Sequence, residues 1–102
     1  MSTLHTVNKS PFATGTLTSC LNHCKDGDAV LMIEDGVYGG LTGTSVADHV
    51  RQMSASVAIY VLSPDADARG LAAERLLEGI KGVDYDGFVD LVAEHDRTQN
   101  WL

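Results

Sequence analysis

Basic residues are scarce in this 102-residue chain: seven Lys and Arg stand against fourteen Asp and Glu, a formal net charge of −7. The cations (Lys9, Lys25, Arg51, Arg69, Arg75, Lys81 and Arg97) are scattered rather than grouped. Proteins that bind nucleic acid neutralise phosphates with clustered cations, so direct RNA or DNA binding is not expected of this chain. Long hydrophobic runs are also missing. None approaches the roughly 20 residues that cross a bilayer, and MSTLHTVNKS lacks the basic-then-apolar order of a secretory leader. The expected compartment is the cytoplasm, where thiols stay reduced. With only two prolines and an apolar fraction of 44%, the composition is that of a globular protein rather than a disordered or fibrous one. The length fits one hydrophobic core and one domain, residues 1–102. There is no internal repeat, linker or low-complexity stretch.

What is present is an alternation of strand and helix signals. Leu4 to Asn8 reads as a short first strand. Ser10-Pro11 is an N-cap followed by proline at the first helical position, which predicts a helix from there to about Lys25. That helix should stop at Asp26-Gly27-Asp28. "AVLMI" (29–33) is apolar throughout and bounded by turn residues, as suits a strand buried on both faces. "EDGVYGGLTGT" (34–44) should mix loop and helical turn, with a short helix near 45–53. "SVAIYVL" (56–62) is β-branched and apolar, the clearest strand of the chain. A helix over 65–77, a short strand within 79–85 and a final helix over 86–96 complete the pattern, the last with Phe88, Val89, Leu91 and Val92 as its apolar stripe. The expected fold is a small three-layer α/β domain with a mainly parallel central sheet, its sites at the carboxyl ends of the strands.

Cysteine is nearly absent too, and the two residues present, Cys20 and Cys24, lie four apart on the first predicted helix. On a helical wheel with Phe12 at zero, Ala13, Leu17 and Leu21 span roughly 100–180°, Cys24 falls at roughly 120° and Cys20 at roughly 80°. This places Cys24 in the core-facing arc and Cys20 at its edge. Cys24 also sits in the last turn, where the helix dipole and the nearby Asp26 and Asp28 disfavour an anion. A thiol needs its thiolate form to react, so Cys20 is the thiol expected to do any chemistry. A disulfide between them is disfavoured, because Cβ atoms four apart on a helix stand about 5–6 Å apart against roughly 3.5–4.5 Å in a disulfide. Zinc is disfavoured as well: a structural site takes four ligands, usually as two spaced pairs, and His23 points away from Cys24 on the wheel. Two small buried residues remain the plain alternative.

The glycine-rich 35–44 stretch lacks both the spacing and the lysine of a phosphate loop, and Glu34 and Asp35 would repel a phosphate. It reads instead as a turn region needing positive φ that borders a site or an interface. His5, His23, His49 and His95 show no ligand spacing. Trp101, followed by Leu102, favours docking onto something apolar, within the fold or on a partner.

Together "LHTVNKSP" (4–11), "GD" before "AVLMIEDGVY" (27–38), "LxxDxxARGL" (62–71), "VDYxxFVxL" (83–91) and a terminal Trp101 resemble the DsrH/TusB family, over nearly the whole chain. The resemblance implies the DsrE/F/H-like fold, a relative of flavodoxin-type sheets. It also implies a heterohexamer holding two copies each of this chain, a DsrE-like and a DsrF-like paralogue, which relays sulfur as cysteine persulfide without metal or organic cofactor. DsrEFH-type complexes serve sulfur oxidation and exchange sulfur with a DsrC-type carrier; TusBCD-type complexes pass it toward tRNA 2-thiouridine. A cysteine at the position of Cys20 is a DsrH-type feature, which favours sulfur oxidation and makes Cys20 the candidate persulfide carrier. The family's firmly assigned persulfide cysteine lies on the DsrE/TusD-type subunit, so a supporting subunit without chemistry is the alternative, as is the TusB-like role. In the supporting role, Glu34, Asp35, Tyr38 and Trp101 are interface candidates, along with the C-terminal helix. A small-ligand binder of flavodoxin type is a third possibility that the acidic loop opposes.

Overall fold

A computed structural model describes residues 2–102. Five parallel strands form one sheet in the order β4-β3-β2-β1-β5: β1 Thr3–Val7, β2 Ala29–Met32, β3 Ala58–Leu62, β4 Lys81–Val83 and β5 Arg97–Trp101. Between them run α1 Thr16–His23, a 3₁₀ helix Glu34–Gly40, α2 Ala47–Met53, α3 Ser63–Ala68, a short 3₁₀ turn Ala73–Arg75 and α4 Tyr85–Glu94. The chain steps in one direction from β1 to β4, then α4 carries it back across the sheet to β5 at the opposite edge. Right-handed crossovers running in opposite directions put their helices on opposite faces. One core accordingly joins Val7, Val30, Met32, Ile59 and Val61 to Leu17, Cys20, Leu21 and Val50, while the other joins Leu4, Ala29, Leu31 and Leu62 to Leu91 of α4. Every residue of β1 and β2 is buried, which agrees with the continuous apolar run 29–33.

The helices are shorter than expected. Ser10 O accepts the amides of Ala13 and Thr14, and Ser10 Oγ accepts that of Phe12, closing one turn over 10–14. Thr14, Gly15 and Thr16 are weak helix formers in succession, so α1 starts only at Thr16. Gly70, at φ 69°, ends α3 at Ala68, nine residues early: its amide returns to Asp67 O and that of Leu71 to Ala66 O, a left-handed C-terminal cap. In 34–44, Gly36, Gly39 and Gly40 are required by close approach rather than by positive φ. A Cβ on Gly36 would strike Val7 O, and one on Gly40 would lie 2.9 Å from Val61 Cγ1. The positive φ values there fall on Glu34 (50°) and Gly43 (77°). α4 buries only Leu91 fully; Tyr85, Val89 and Val92 are 60%, 67% and 43% exposed.

Candidate functional site

The site grows from the end of α1. Leu17, Cys20 and Leu21 form its buried i, i+3, i+4 stripe. The helix stops at His23, and Cys24 follows with extended backbone (φ −68°, ψ 148°). The expected order of the two thiols is therefore reversed: Cys20 has no exposed surface, whereas Cys24 is half-buried. The physical reason is the length of the helix: the core-facing arc rests partly on Ala13, and Cys24 is placed on it by helical spacing, yet neither residue belongs to α1.

A tight turn through Gly27 (φ 90°) then brings Asp28 beneath the start of β1. Its carboxylate accepts three hydrogen bonds, from Thr3 N (3.0 Å), Lys25 N (3.1 Å) and His5 Nε2 (3.0 Å). Burial opposes the charge of Asp28, but the bond from His5 and those from the Lys25 and Thr3 amides outweigh it, so its carboxyl ionises below the usual carboxylate range. On the other side of the imidazole, Trp101 Nε1–H donates to His5 Nδ1 at 3.0 Å. Indole is a donor only, so Nδ1 must be an acceptor and Nε2 must carry the hydrogen that points at Asp28. The two neighbours thereby fix a neutral Nε2–H tautomer. His23 stands edge-on to both rings, 6.3 Å from His5 and 5.7 Å from Trp101 between centroids.

The side-chain donors of His5, Cys20 and Cys24 lie within 4.8 Å of one another. In its neutral form Cys24 donates to Cys20 O at 3.3 Å. In the metal-free chain, a thiolate at one cysteine opposes ionisation of the other. Hydrogen bonding to Cys24, burial and the nearby negative charges of Cys24 and Asp28 push the Cys20 thiol far up, while the bond from Cys20 lowers that of Cys24. Cys24 is thus the thiol more readily ionised. A cleft of about 380 Å³ opens beside His5, lined by Thr3, His5, His23, Lys25, Asp28, Arg97 and Gln99, and the two thiols lie behind its wall. It lies at the amino ends of β1, β2 and β5, not at the carboxyl ends where a site was expected.

At the carboxyl ends the acidic loop has a structural task. Asp65 Oδ2 accepts the Glu34 amide (2.6 Å) and Arg69 pairs with Asp35 (3.0 Å), so the "EDG" and "DxxARG" motifs clasp each other. Glu34 and Asp35 remain exposed, and Tyr38 is half-buried with its ring 6.1 Å from Phe12. Trp101 is brought into the thiol site. His5, Asp28 and β5 were not foreseen as parts of that site. The available signals were a histidine at an inward position of an apolar strand and an aspartate immediately before another.

Comparison with known proteins agrees with the motifs. Residues 9–98 match the family described as "DsrH like protein". The chain belongs to the DsrH/TusB family. It is 35% identical to Protein TusB of Pectobacterium parmentieri over 98 residues, covering 96% of this chain and 99% of that one. It is 34% identical to Protein TusB of Escherichia coli strain SMS-3-5 over the same length and coverage. Among solved structures, the fold is similar to the ychN protein of E. coli (TM-score 0.83, 16% identity, covering 98% of this chain and 99% of that one). It is also similar to MTH1491 of Methanobacterium thermoautotrophicum (TM-score 0.76, 17% identity, covering 97% and 96%). No helix among the described residues is long and apolar enough to cross a membrane.

Proposed function

We propose that this chain is a subunit of a sulfur-relay complex, assembled with a DsrE-like and a DsrF-like paralogue, and that it handles sulfur at the Cys20–Cys24 pair. The observation that carries the reading is a pair of free, unequal thiols within 4.8 Å of His5, which lines a cleft, in a chain that matches the DsrH family from residue 9 to residue 98. Persulfide transfer needs a thiolate that another protein can reach. Cys24 meets that need first: its thiolate attacks the outer sulfur of a donor persulfide, the S–S bond of the donor breaks, and the donor leaves as thiolate. Cys20, the residue marked by the resemblance, lies beneath and serves as hydrogen-bond donor to the attacking sulfur. Sulfur reaches Cys20 itself only if Cys24 moves aside.

The full-length TusB relatives favour the tRNA 2-thiouridine branch, in the cytoplasm. The cysteine at position 20 favours the second reading, sulfur oxidation with a DsrC-type acceptor. Deletion of the gene in its own host separates them. Loss of 2-thiouridine from tRNA with sulfur oxidation intact is the result expected. Loss of sulfur oxidation with 2-thiouridine unchanged would move the chain to the other branch, and no change in either would reject the relay.

A further inference from the structure

Sulfur transfer uses the two thiols but not the imidazole beside them. We propose that His5, Cys20 and Cys24 form a zinc(II) site with an exchangeable fourth ligand. This inference goes beyond the sulfur-relay reading and does not depend on it.

Two thiolates, one imidazole and an exchangeable fourth ligand are a donor set that zinc accepts in tetrahedral geometry. The three donor atoms already lie within 4.8 Å of one another, and loaded zinc–sulfur and zinc–nitrogen bonds of about 2.3 and 2.0 Å would draw them closer by about 1 Å. Cys24 can make that movement because it lies beyond the end of α1, in extended backbone. Charge also selects the ion. Two thiolates at close quarters repel each other; a divalent cation leaves the cluster neutral, whereas a monovalent one would leave a buried negative charge beside Asp28.

The surroundings are those of a ligating histidine. Asp28 accepts the Nε2–H of His5 at 3.0 Å, the carboxylate contact that orients a metal-bound imidazole and fixes its tautomer. Nδ1 is left as the ligand atom. Its present partner is the indole N–H of Trp101, a half-buried side chain on the edge strand β5, which must withdraw when metal binds. Binding replaces two S–H bonds by two metal–sulfur bonds and releases two protons per ion. Affinity therefore rises with pH, and a metal-loaded chain has no free thiolate to receive sulfur.

The test is titration of the reduced full-length chain with cobalt(II) as a spectroscopic probe, followed by zinc(II) competition. The expected results are a thiolate-to-cobalt charge-transfer band saturating at one ion per chain, release of close to two protons per ion, a change in Trp101 emission, and bleaching by one equivalent of zinc. Cys20→Ala and Cys24→Ala, each checked for native circular dichroism, abolish the band, and Asp28→Asn weakens binding by roughly 10–100-fold. No band at excess cobalt in wild-type chain with two titratable thiols would overturn the site. A band that persists unchanged in Cys20→Ala would place the metal elsewhere and overturn it equally. The wild-type titration decides the matter even if a variant fails to fold.

Discussion

The two faces of the sheet are finished to different degrees. The face under α1 and α2 buries a cluster of sixteen residues, including Cys20, and carries the polar assembly of His5, Asp28 and Trp101 at its edge. The opposite face buries five, Leu4, Ala29, Leu31, Leu62 and Leu91, under α4 alone. The same helix turns Tyr85, Val89 and Val92 outward, at the i, i+4, i+7 spacing of a second apolar stripe. A helix that is apolar on both sides is shaped for two neighbours. The finished face holds the thiol pair, and the unfinished one is the surface we propose for a paralogous subunit.

The comparison breaks hardest at the centre of the finished face. Leu21→Ala, with the buried stripe of α1 around it, should cost about 4 kcal/mol, in the upper part of the range for such truncations; chemical denaturation measures it. Asp28→Ala should cost about 3 kcal/mol, because two amides and an imidazole lose their acceptor in a buried place. The charge has a pH signature. Since the carboxyl of Asp28 is lowered in the folded state, its contribution is complete above the ordinary carboxyl value of about 3.9. It is lost as the pH falls through the lower folded value. Denaturation midpoints of the wild type should thus drop below about pH 4 more steeply than those of Asp28→Asn.

Leu91→Ala on the thinner face should cost about 2 kcal/mol, at the lower end of the same range, because that face can collapse around the gap. Smallest of all in the lone chain is Val89→Asp, within about 0.5 kcal/mol of wild type. Its effect should appear instead as loss of co-purification with the paralogues. A destabilisation of Val89→Asp as large as that of Leu91→Ala would erase the distinction between the faces.

Much of the fold was legible because it rests on short apolar runs. "AVLMI" and "SVAIYVL" form the sheet's interior, and the strand–helix alternation fixed its parallel order. Two kinds of feature were not legible. Helix lengths depended on single residues with local alternatives: the closed turn at Ser10, Gly15 ahead of α1, and Gly70 in the left-handed region after α3. β5 was hidden because "RTQNW" is polar; as an edge strand with four exposed residues it has no hydrophobic period to read.

At the site, the thiol pair was evident but its polarity was not. Cys24 reads as buried on a helix that in fact ends before it, and the early end reverses the exposure of the two sulfurs. His5, Asp28 and Trp101 come from positions separated by 23 and 96 residues along the chain, a convergence that only the sheet register creates. A quieter test of this pairing is the pH dependence of alkylation at Cys24. Its apparent pKa should lie below the ordinary thiol range and should rise in Cys20→Ala, where the stabilising S–H is gone.

The most direct measurement is peptide-mapped mass spectrometry of the complex with both paralogues after brief exposure to a persulfide donor. One added sulfur atom on Cys24 of this chain, with Cys20 unmodified, is the expected result. Sulfur on Cys20 while Cys24 stays bare, or on a paralogue alone, would contradict it.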